Sequence, residues 1–326
     1  MGMVFAQQRA PQQPVLSAYS SLEEPLAKTL FDQFTFETGV RVNYTHYSGD
    51  TVLARLEAEK DDPRASIWVG GTELDHLNAK IKSLTYPTQS REVYRSPEKY
   101  RDPQNFWIGI CIDPITIVTN MDRARALGLT PPRSWAELLK PEYRGHIRMT
   151  NPGVSWPSFN LLSVAKTLHG RDDDLTFNYL RRLDTNINQY AYSESELGRG
   201  VASGQNAISI GYARDFTKHK ANGANLEIVI PTEGTGYELI CMSIVYKGKE
   251  PVGASMLYEW ILSSPNAQRI FTDQCYILVR ERTRKHPLTF ALVQLNTIIQ
   301  NTEWDGAPVN RRRLLDRWST EIGFRR

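Results

Sequence analysis

Arg214 and Asp215 stand directly behind an apolar run, 207–212, that reads as a strand. Glu238 enters a second such run behind Glu233-Gly234-Thr235-Gly236-Tyr237. A guanidinium and carboxylates at strand ends suit the polar body of a small organic molecule, because charge-assisted hydrogen bonds are strong and directional. Adjacent opposite charges such as Arg214-Asp215 are also common at loop entrances, where water solvates both. Glu238 is harder to dismiss, since a carboxylate at the edge of an apolar strand is costly to bury without a partner.

A second kind of chemistry is anion binding. Tyr47-Ser48-Gly49-Asp50 runs into an apolar helix pattern and reads as strand, tight turn and helix start. Such an opening leaves backbone N–H groups free at the positive helix end, which suits a phosphate or carboxylate. An ordinary helix needs Ser48 just as much as its N-cap. Gly70-Gly71 allows close backbone approach to a ligand, or makes a simple turn. Asn151 to Ser158, with Ser155 and Trp156 between them, precedes a helix and offers a second anion or aromatic contact, or again a cap.

Covalent catalysis has little support. The six histidines, at 46, 76, 146, 169, 219 and 286, form no HxxxH or HxH pair, so no preformed histidine metal site is expected. Cys111, Cys241 and Cys275 have no CxxC spacing, which argues against zinc or redox chemistry; one disulfide among them is open. No GxSxG, Walker or GxGxxG motif is present. Asp215 and Glu238 have no obvious partner base. The expectation is a ligand-gripping site that is not an enzyme and uses no cofactor or metal.

Positioning these groups takes an alternating α/β chain. Val15–Tyr19 reads as a strand, and Ser21 with Glu24 has capping-box spacing. Leu26, Leu30 and Phe34 then share a helical face that Gly39 ends. A strand over 40–45, a helix through Val52, Leu53 and Leu56, a strand over 66–69 and a helix over 73–81 follow. That succession predicts a parallel sheet, whose ligands sit beyond the carboxyl ends of its strands, where Ser20, Ser48 and Gly70 fall. A long β-prone stretch, 106–120, is interrupted by Asp113-Pro114. Further strands are expected over 147–149, 207–212, 226–230 and 240–246. Helices are expected at Trp135–Leu139, Leu175–Leu183 and Ala254–Leu262, and near the C-terminus at Phe290–Gln300 and Arg311–Trp318.

The chain has 326 residues, enough for about two lobes. Hydrophobic and charged fractions of 40% and 23% are ordinary for a globular protein. A net charge of +3 is too small to argue for nucleic acid. Arg311-Arg312-Arg313 alternates with Leu314, Leu315 and Trp318, as a solvated helix face does. No apolar run reaches 18 residues. Residues 1–14 read as disordered or as the remnant of an export leader, with a Gln- and Pro-rich start.

In the order and spacing of these segments the chain resembles periplasmic substrate-binding proteins of ABC transporters, in the branch that includes the ferric-binding proteins. The resemblance spans about Val15 to Pro287. Its carriers are Ser48-Gly49 with the helix 53–60, Ile67-Trp68-Val69-Gly70-Gly71, Trp107-Ile108-Gly109-Ile110 with Pro114, Trp135-Ala136-Glu137-Leu138-Leu139, Asn151-Pro152-Gly153 and Pro265-Asn266-Ala267-Gln268. It implies a two-lobed α/β fold of type II with a ligand cleft between lobes: residues 15–113 with 241–280 as one lobe, 114–240 with 281–326 as the other. Ferric members carry a tyrosine pair where this chain has Arg214-Asp215. A hexose-phosphate-binding subgroup instead holds sugar hydroxyls with a histidine–aspartate pair and the glutamate of a Gly-Thr-Gly-Tyr-Glu run. It holds the phosphate with a Ser-Gly turn and a Ser/Thr-rich helix start. This chain has Arg214 in place of that histidine, and Ser155-Trp156-Pro157-Ser158 where the subgroup has smaller residues.

The implied function is the extracytoplasmic, periplasmic receptor of an importer, binding a small phosphorylated or otherwise anionic solute by lobe closure. The alternatives are ferric iron transport, and a transferase-type enzyme on the same scaffold. The implied ligand contacts are Ser20, Ser21, Ser48, Gly49, Gly70, Gly71, Asn151, Ser155, Trp156, Ser158, Ser193, Arg214, Asp215 and Glu238. The implied partners are permease subunits at the membrane, and the protein is expected to be a monomer.

Overall fold

The computed structural model describes residues 14–153, 155–280, 283–295 and 308–323, without the side chains of Trp156 and Pro308. The N-terminal start through residue 13 and residues 296–300 of the expected 290–300 helix lie outside the described residues. In chain order the first elements are β1 (Val15–Ser21), α1 (Glu24–Thr38), β2 (Arg41–His46), α2 (Gly49–Ala58), β3 (Ile67–Thr72), α3 (Glu73–Ile81) and β4 (Thr85–Tyr86). There follow β5 (Ile108–Asn120), α4 (Met121–Leu127), β6 (Ile147–Thr150), α5 (Trp156–Leu168), α6 (Asp173–Asp184), β7 (Ile187–Ala191), α7 (Glu194–Ala202), β8 (Ile208–Tyr212), α8 (Ala213–Ala221), β9 (Leu226–Val229) and β10 (Tyr237–Val245). The last are α9 (Pro251–Ser263), α10 (Pro265–Asp273), β11 (Ile277–Leu278) and α11 (Pro308–Glu321).

The chain forms two compact units, one from the residues up to Ile108 with Cys241–Ile270, the other from Gly109–Ile240 with Phe271 onward. The boundaries read from the sequence stood at 113, 240 and 280.

In the first unit β1 pairs in parallel with both β2 and β3, so the carboxyl ends of all three strands share one edge. Leu26, Leu30 and Phe34, spaced four apart, are the buried face of α1. Phe34 meets Trp260 of α9 edge-on, with ring centroids 5.5 Å apart. A separate apolar cluster holds α2 and α3 on the sheet through Tyr19, Val52, Leu56, Trp68, Ala79 and Leu84.

The expected capping box at Ser21 and Glu24 does not form. The N-cap of α1 is Glu23, which makes no side-chain cap. Ser21 is still in β1, in register with Gly70 of β3, and its Oγ accepts from Trp68 Nε1–H at 3.0 Å. The sheet therefore claims Ser21 before the helix can. Buried His76 stacks on Trp68, with ring centroids 4.1 Å apart. Its Nε2 lies 2.8 Å from the Gly70 carbonyl, which only accepts, so Nε2 carries the proton and Nδ1 accepts from Ser243 Oγ at 2.6 Å. Burial pushes the ring's pKa down to about 4.

In the second unit β6 pairs in parallel with β7 and β8, while β5 pairs antiparallel with β8, β9 and β11. β5 runs unbroken through Asp113-Pro114, contrary to the expected interruption. Cys111 and Ile112 pair with β11, and pairing with β8 begins at Ile115. Pro114 falls at that handover, where a missing N–H breaks neither ladder. The core of this unit includes Trp135, Tyr143, Phe159 and Phe177, and closes against Leu314 and Trp318 of α11.

The expected helix at Trp135–Leu139 is a 3₁₀ turn over Glu137–Leu139. The arginine-rich stretch of α11 is more than a solvated face, since Arg313 pairs with Asp173 and Arg317 with Asp174 of α6. All three cysteines are free and buried. Among the described residues no helix is long and apolar enough to cross a membrane.

Candidate functional site

The first unit gathers six of the expected ligand residues at the shared strand edge. Ser20, buried at the end of β1, accepts the Leu22 N–H on Oγ at 3.3 Å, and its carbonyl accepts the Tyr47 N–H at 3.0 Å. Gly70 has φ +94°, and a Cβ there would stand 2.6 Å from the backbone nitrogen of Leu22. That close approach explains the glycine without any ligand. Gly71 is similarly pressed against the Trp68 ring.

Ser48 is the N-cap of α2 but makes no side-chain cap. Its hydroxyl donates instead to Asp50 Oδ1 at 2.5 Å, and Asp50 Oδ1 also accepts the Thr51 N–H at 2.9 Å. A Cβ on Gly49 would stand 2.2 Å from Asp75 Oδ2. Asp75 is held there by a reciprocal capping box with Thr72 at the start of α3. Burial raises the Asp75 pKa, and the Asp50 charge adds to the rise. Asp50 thus takes one N–H of the α2 start, that of Thr51, and Asp75 lies beside Gly49.

Gly49 is consequently a structural position as well as a candidate contact. Gly49→Ala forces its methyl into a carboxylate whose Oδ2 is held by both the N–H and the hydroxyl of Thr72, and should cost about 1–3 kcal/mol, the usual range for overpacking. Urea denaturation of Gly49→Ala and of Gly49→Ala/Asp75→Ala measures it. A double variant no better than the sum of the single ones would refute the collision.

In the second unit the antiparallel register of β5 and β8, Ile115 against Tyr212, brings Asp113 to the start of α8. Arg214 and Asp215 lie in the first turn of that helix, not on a strand end. Asp113 Oδ1 accepts the Arg214 N–H at 3.0 Å, so a buried carboxylate caps α8. Its Oδ2 lies 3.4 Å from Arg214 Nε, and Arg214 NH2 lies 3.4 Å from Asp215 Oδ1. The guanidinium also stands 4.7 Å over the Tyr276 ring. Arg214 and Asp113 are 12% and 4% exposed, whereas Asp215 at 30% retains access to solvent.

Burial pushes the Asp113 carboxyl up to about 8; Arg214 opposes the rise, and Asp215 and Glu238 reinforce it. Glu238 is the second residue of β10, close enough to act on Asp113, Cys111 and Tyr212. Glu233 stands apart, accepting the N–H groups of Trp135 and Ala136 at 3.2 and 3.1 Å.

Around the start of α5, Glu194 Oε1 accepts from Thr150 Oγ1 at 2.7 Å and from Ser155 Oγ at 2.6 Å, while Ser158 Oγ lies 2.7 Å from Thr150 Oγ1. Burial raises the Glu194 pKa, the two hydroxyls lower it, and the Asp215 charge raises it. Ser193 caps α7 by accepting the Glu196 N–H at 3.2 Å. Asn151 Oδ1 accepts the Gly153 N–H at 2.8 Å. Trp156 is the first residue of α5, and its side chain lies outside the described residues.

The structure thus unites Arg214, Asp215 and Glu238 with Asp113, and Ser155 and Ser158 with Thr150 and Glu194. Sequence reading missed Asp113, Thr150, Glu194 and Tyr276. Asp113 had a signal, a carboxylate inside the apolar run Ile110-Cys111-Ile112-Asp113-Pro114-Ile115. Glu194 had none, since Ser193-Glu194-Ser195-Glu196 reads as any helix start. Among the described residues no group of three or more His, Cys, Asp or Glu side chains is placed to hold a metal ion.

Residues 76–287, more than half of the chain, match the family model described as bacterial extracellular solute-binding protein. The chain belongs to that family. An uncharacterized protein of Haemophilus influenzae is 28% identical to this solute-binding protein over 314 residues, covering 94% of this chain and 90% of that one. The periplasmic binding protein AfuA of Actinobacillus pleuropneumoniae, solved with exogenous fructose-6-phosphate bound, matches at TM-score 0.79 and 28% identity. The match covers 95% of this chain and 99% of AfuA. The spermidine/putrescine-binding periplasmic protein of Escherichia coli is 24% identical over 261 residues, covering 74% and 71% of the two chains. AfuA and the Escherichia coli protein are binding proteins, and the fold of this chain matches that of AfuA.

Proposed function

We propose that this solute-binding protein is an exported, monomeric receptor that delivers a small organic solute to the permease subunits of an ABC importer and performs no covalent chemistry. The solute carries hydroxyl or amine donors and an oxyanion, as a hexose phosphate does. The observation that carries this reading is the charge arrangement of the second unit. Asp215 and Glu238 accept hydrogen bonds from solute donors, while Arg214, fixed by Asp113 and stacked on Tyr276, presents a cation beside them. Charge-assisted hydrogen bonds of this kind contribute about 1.5–3 kcal/mol each when desolvated. AfuA, the relative with fructose-6-phosphate, supports the same class of solute. The oxyanion is assigned to the N–H groups at the Ser48-Gly49 start of α2, with Ser20 and Ser21 on the same strand edge.

A melting-temperature screen of hexose phosphates, phosphonates, polyamines and ferric citrate tests the assignment. A solute at a hundred times its dissociation constant stabilises by about 2.7 kcal/mol, which shifts a melt measurably. Hexose phosphates are expected to give the largest shift. A shift with putrescine or ferric citrate and none with any phosphorylated compound would overturn the reading.

A further inference from the structure

The start of α5 has the parts of an oxyanion seat: three hydroxyls, from Thr150, Ser155 and Ser158, gathered at the positive end of a helix of 13 residues. Each hydroxyl has a single proton to give. Glu194 Oε1 takes those of Thr150 and Ser155 directly, which leaves Thr150 Oγ1 to accept the proton of Ser158. Two donors are therefore spent on one internal carboxylate, and the third on a hydroxyl that already serves it. The other carboxylate oxygen lies over β8, where a Cβ added to Gly211 would stand 3.1 Å from Glu194 Oε2. Asp215 is near enough to raise the Glu194 pKa by its charge. An incoming phosphate would meet two carboxylates where a bare seat would offer three donors.

We infer that Glu194 is a specificity-determining residue: it occupies the α5 seat and excludes the solute's oxyanion from it, so that this side of the site accepts only hydroxyl or amine donors. The inference rests on the receptor reading above and gives the solute one polarity in the second unit, with donors toward Glu194 and Asp215. It also replaces the expected roles of Ser155, whose hydroxyl belongs to Glu194, and of Ser158, whose hydroxyl belongs to Thr150; neither belongs to a ligand phosphate. Specificity by repulsion of the wrong group is as effective as attraction of the right one.

The test is calorimetric titration of inorganic phosphate and of a hexose phosphate into wild-type protein and Glu194→Gln, with the fold checked by circular dichroism. Removing one like charge should tighten inorganic phosphate by roughly tenfold or more, the equivalent of about one unit of pKa. Adding Ser155→Ala to Glu194→Gln should abolish that gain. If Glu194→Gln does not fold, Glu194→Ala is read in the same way. Unchanged phosphate affinity in a folded Glu194 variant, or a gain that survives loss of the Ser155 hydroxyl, overturns the inference. The two readings fail separately. Hexose phosphate bound by wild type without a phosphate gain in Glu194→Gln sinks only the role of Glu194. A phosphate gain in a protein that ignores every hexose phosphate sinks only the solute assignment.

Discussion

Asp215→Ala and Glu238→Ala are each expected to weaken solute binding by roughly tenfold to a hundredfold, at about 1.4 kcal/mol per decade. On the proposed reading each removes an acceptor for solute donors, and Asp215 keeps enough solvent access to be reached. In Asp215→Ala the melting temperature of the ligand-free protein should hardly move. Asp215 forms only the outer side of the Arg214 pairing, and an ion pair with one partner in contact with solvent contributes little. The competing outcome is a purely structural role, in which the unliganded melt falls and affinity stays within about twofold. Calorimetry with the best solute of the screen, run beside thermal melts, separates the two. That second pattern in both variants would withdraw these carboxylates from the site.

Asp113 should behave in the opposite way. Its carboxylate bonds the Arg214 N–H and faces the guanidinium from a fully buried position in β5. Breaking a buried pair by removing one partner costs about 3–5 kcal/mol. Asp113→Ala is placed at or below the low end, because burial keeps the carboxyl mostly protonated near neutral pH. The pH dependence has a definite sign. A folded-state pKa of about 8, against 3.8 for the free group, means that the native state holds a proton the unfolded chain has lost across that window. Stability through this group therefore falls as pH rises from about 4 to about 8. Asp113→Asn cannot titrate, so its stability should decline less than that of wild type between pH 5 and pH 8.5. Urea denaturation at the two pH values measures the difference. Parallel declines in wild type and Asp113→Asn would show that Asp113 does not titrate in this range.

Much of the fold was legible because it follows local rules. The four-residue spacing of Leu26, Leu30 and Phe34 marked the buried face of α1, and the strand–helix alternation through Ile81 marked a parallel sheet. The misreadings occur where tertiary pairing overrides a local signal. Ser21 and Glu24 have the spacing of a capping box, yet β3 extends β1 through Ser21. Pro114 reads as a strand breaker, yet it sits where β5 changes partners. Arg214, Asp215 and Glu238 were legible as residues that could do chemistry. Their common partner Asp113 lies 101 positions from Arg214 and is brought there only by the register of β5 against β8. Glu194 was hidden for the same reason: its hydroxyl partners Thr150 and Ser155 belong to another strand and helix, about forty residues earlier.

The discontinuous make-up of the first unit bears on how the protein is born. Its opening strands, β1 to β3, leave the ribosome early, but α9, whose Gly253 packs against Leu16 of β1, belongs to the returning segment Cys241–Ile270. Synthesis at about 5–20 residues per second puts roughly 10–30 s between Ile108 and Ile270. During that interval the apolar sheet face around Leu16 lacks its cover and the unit cannot lock. A nascent chain that stays loose until most of it has been made is a natural client for holding chaperones, and, if exported as proposed, it remains threadable through a translocation channel for as long as they keep it so.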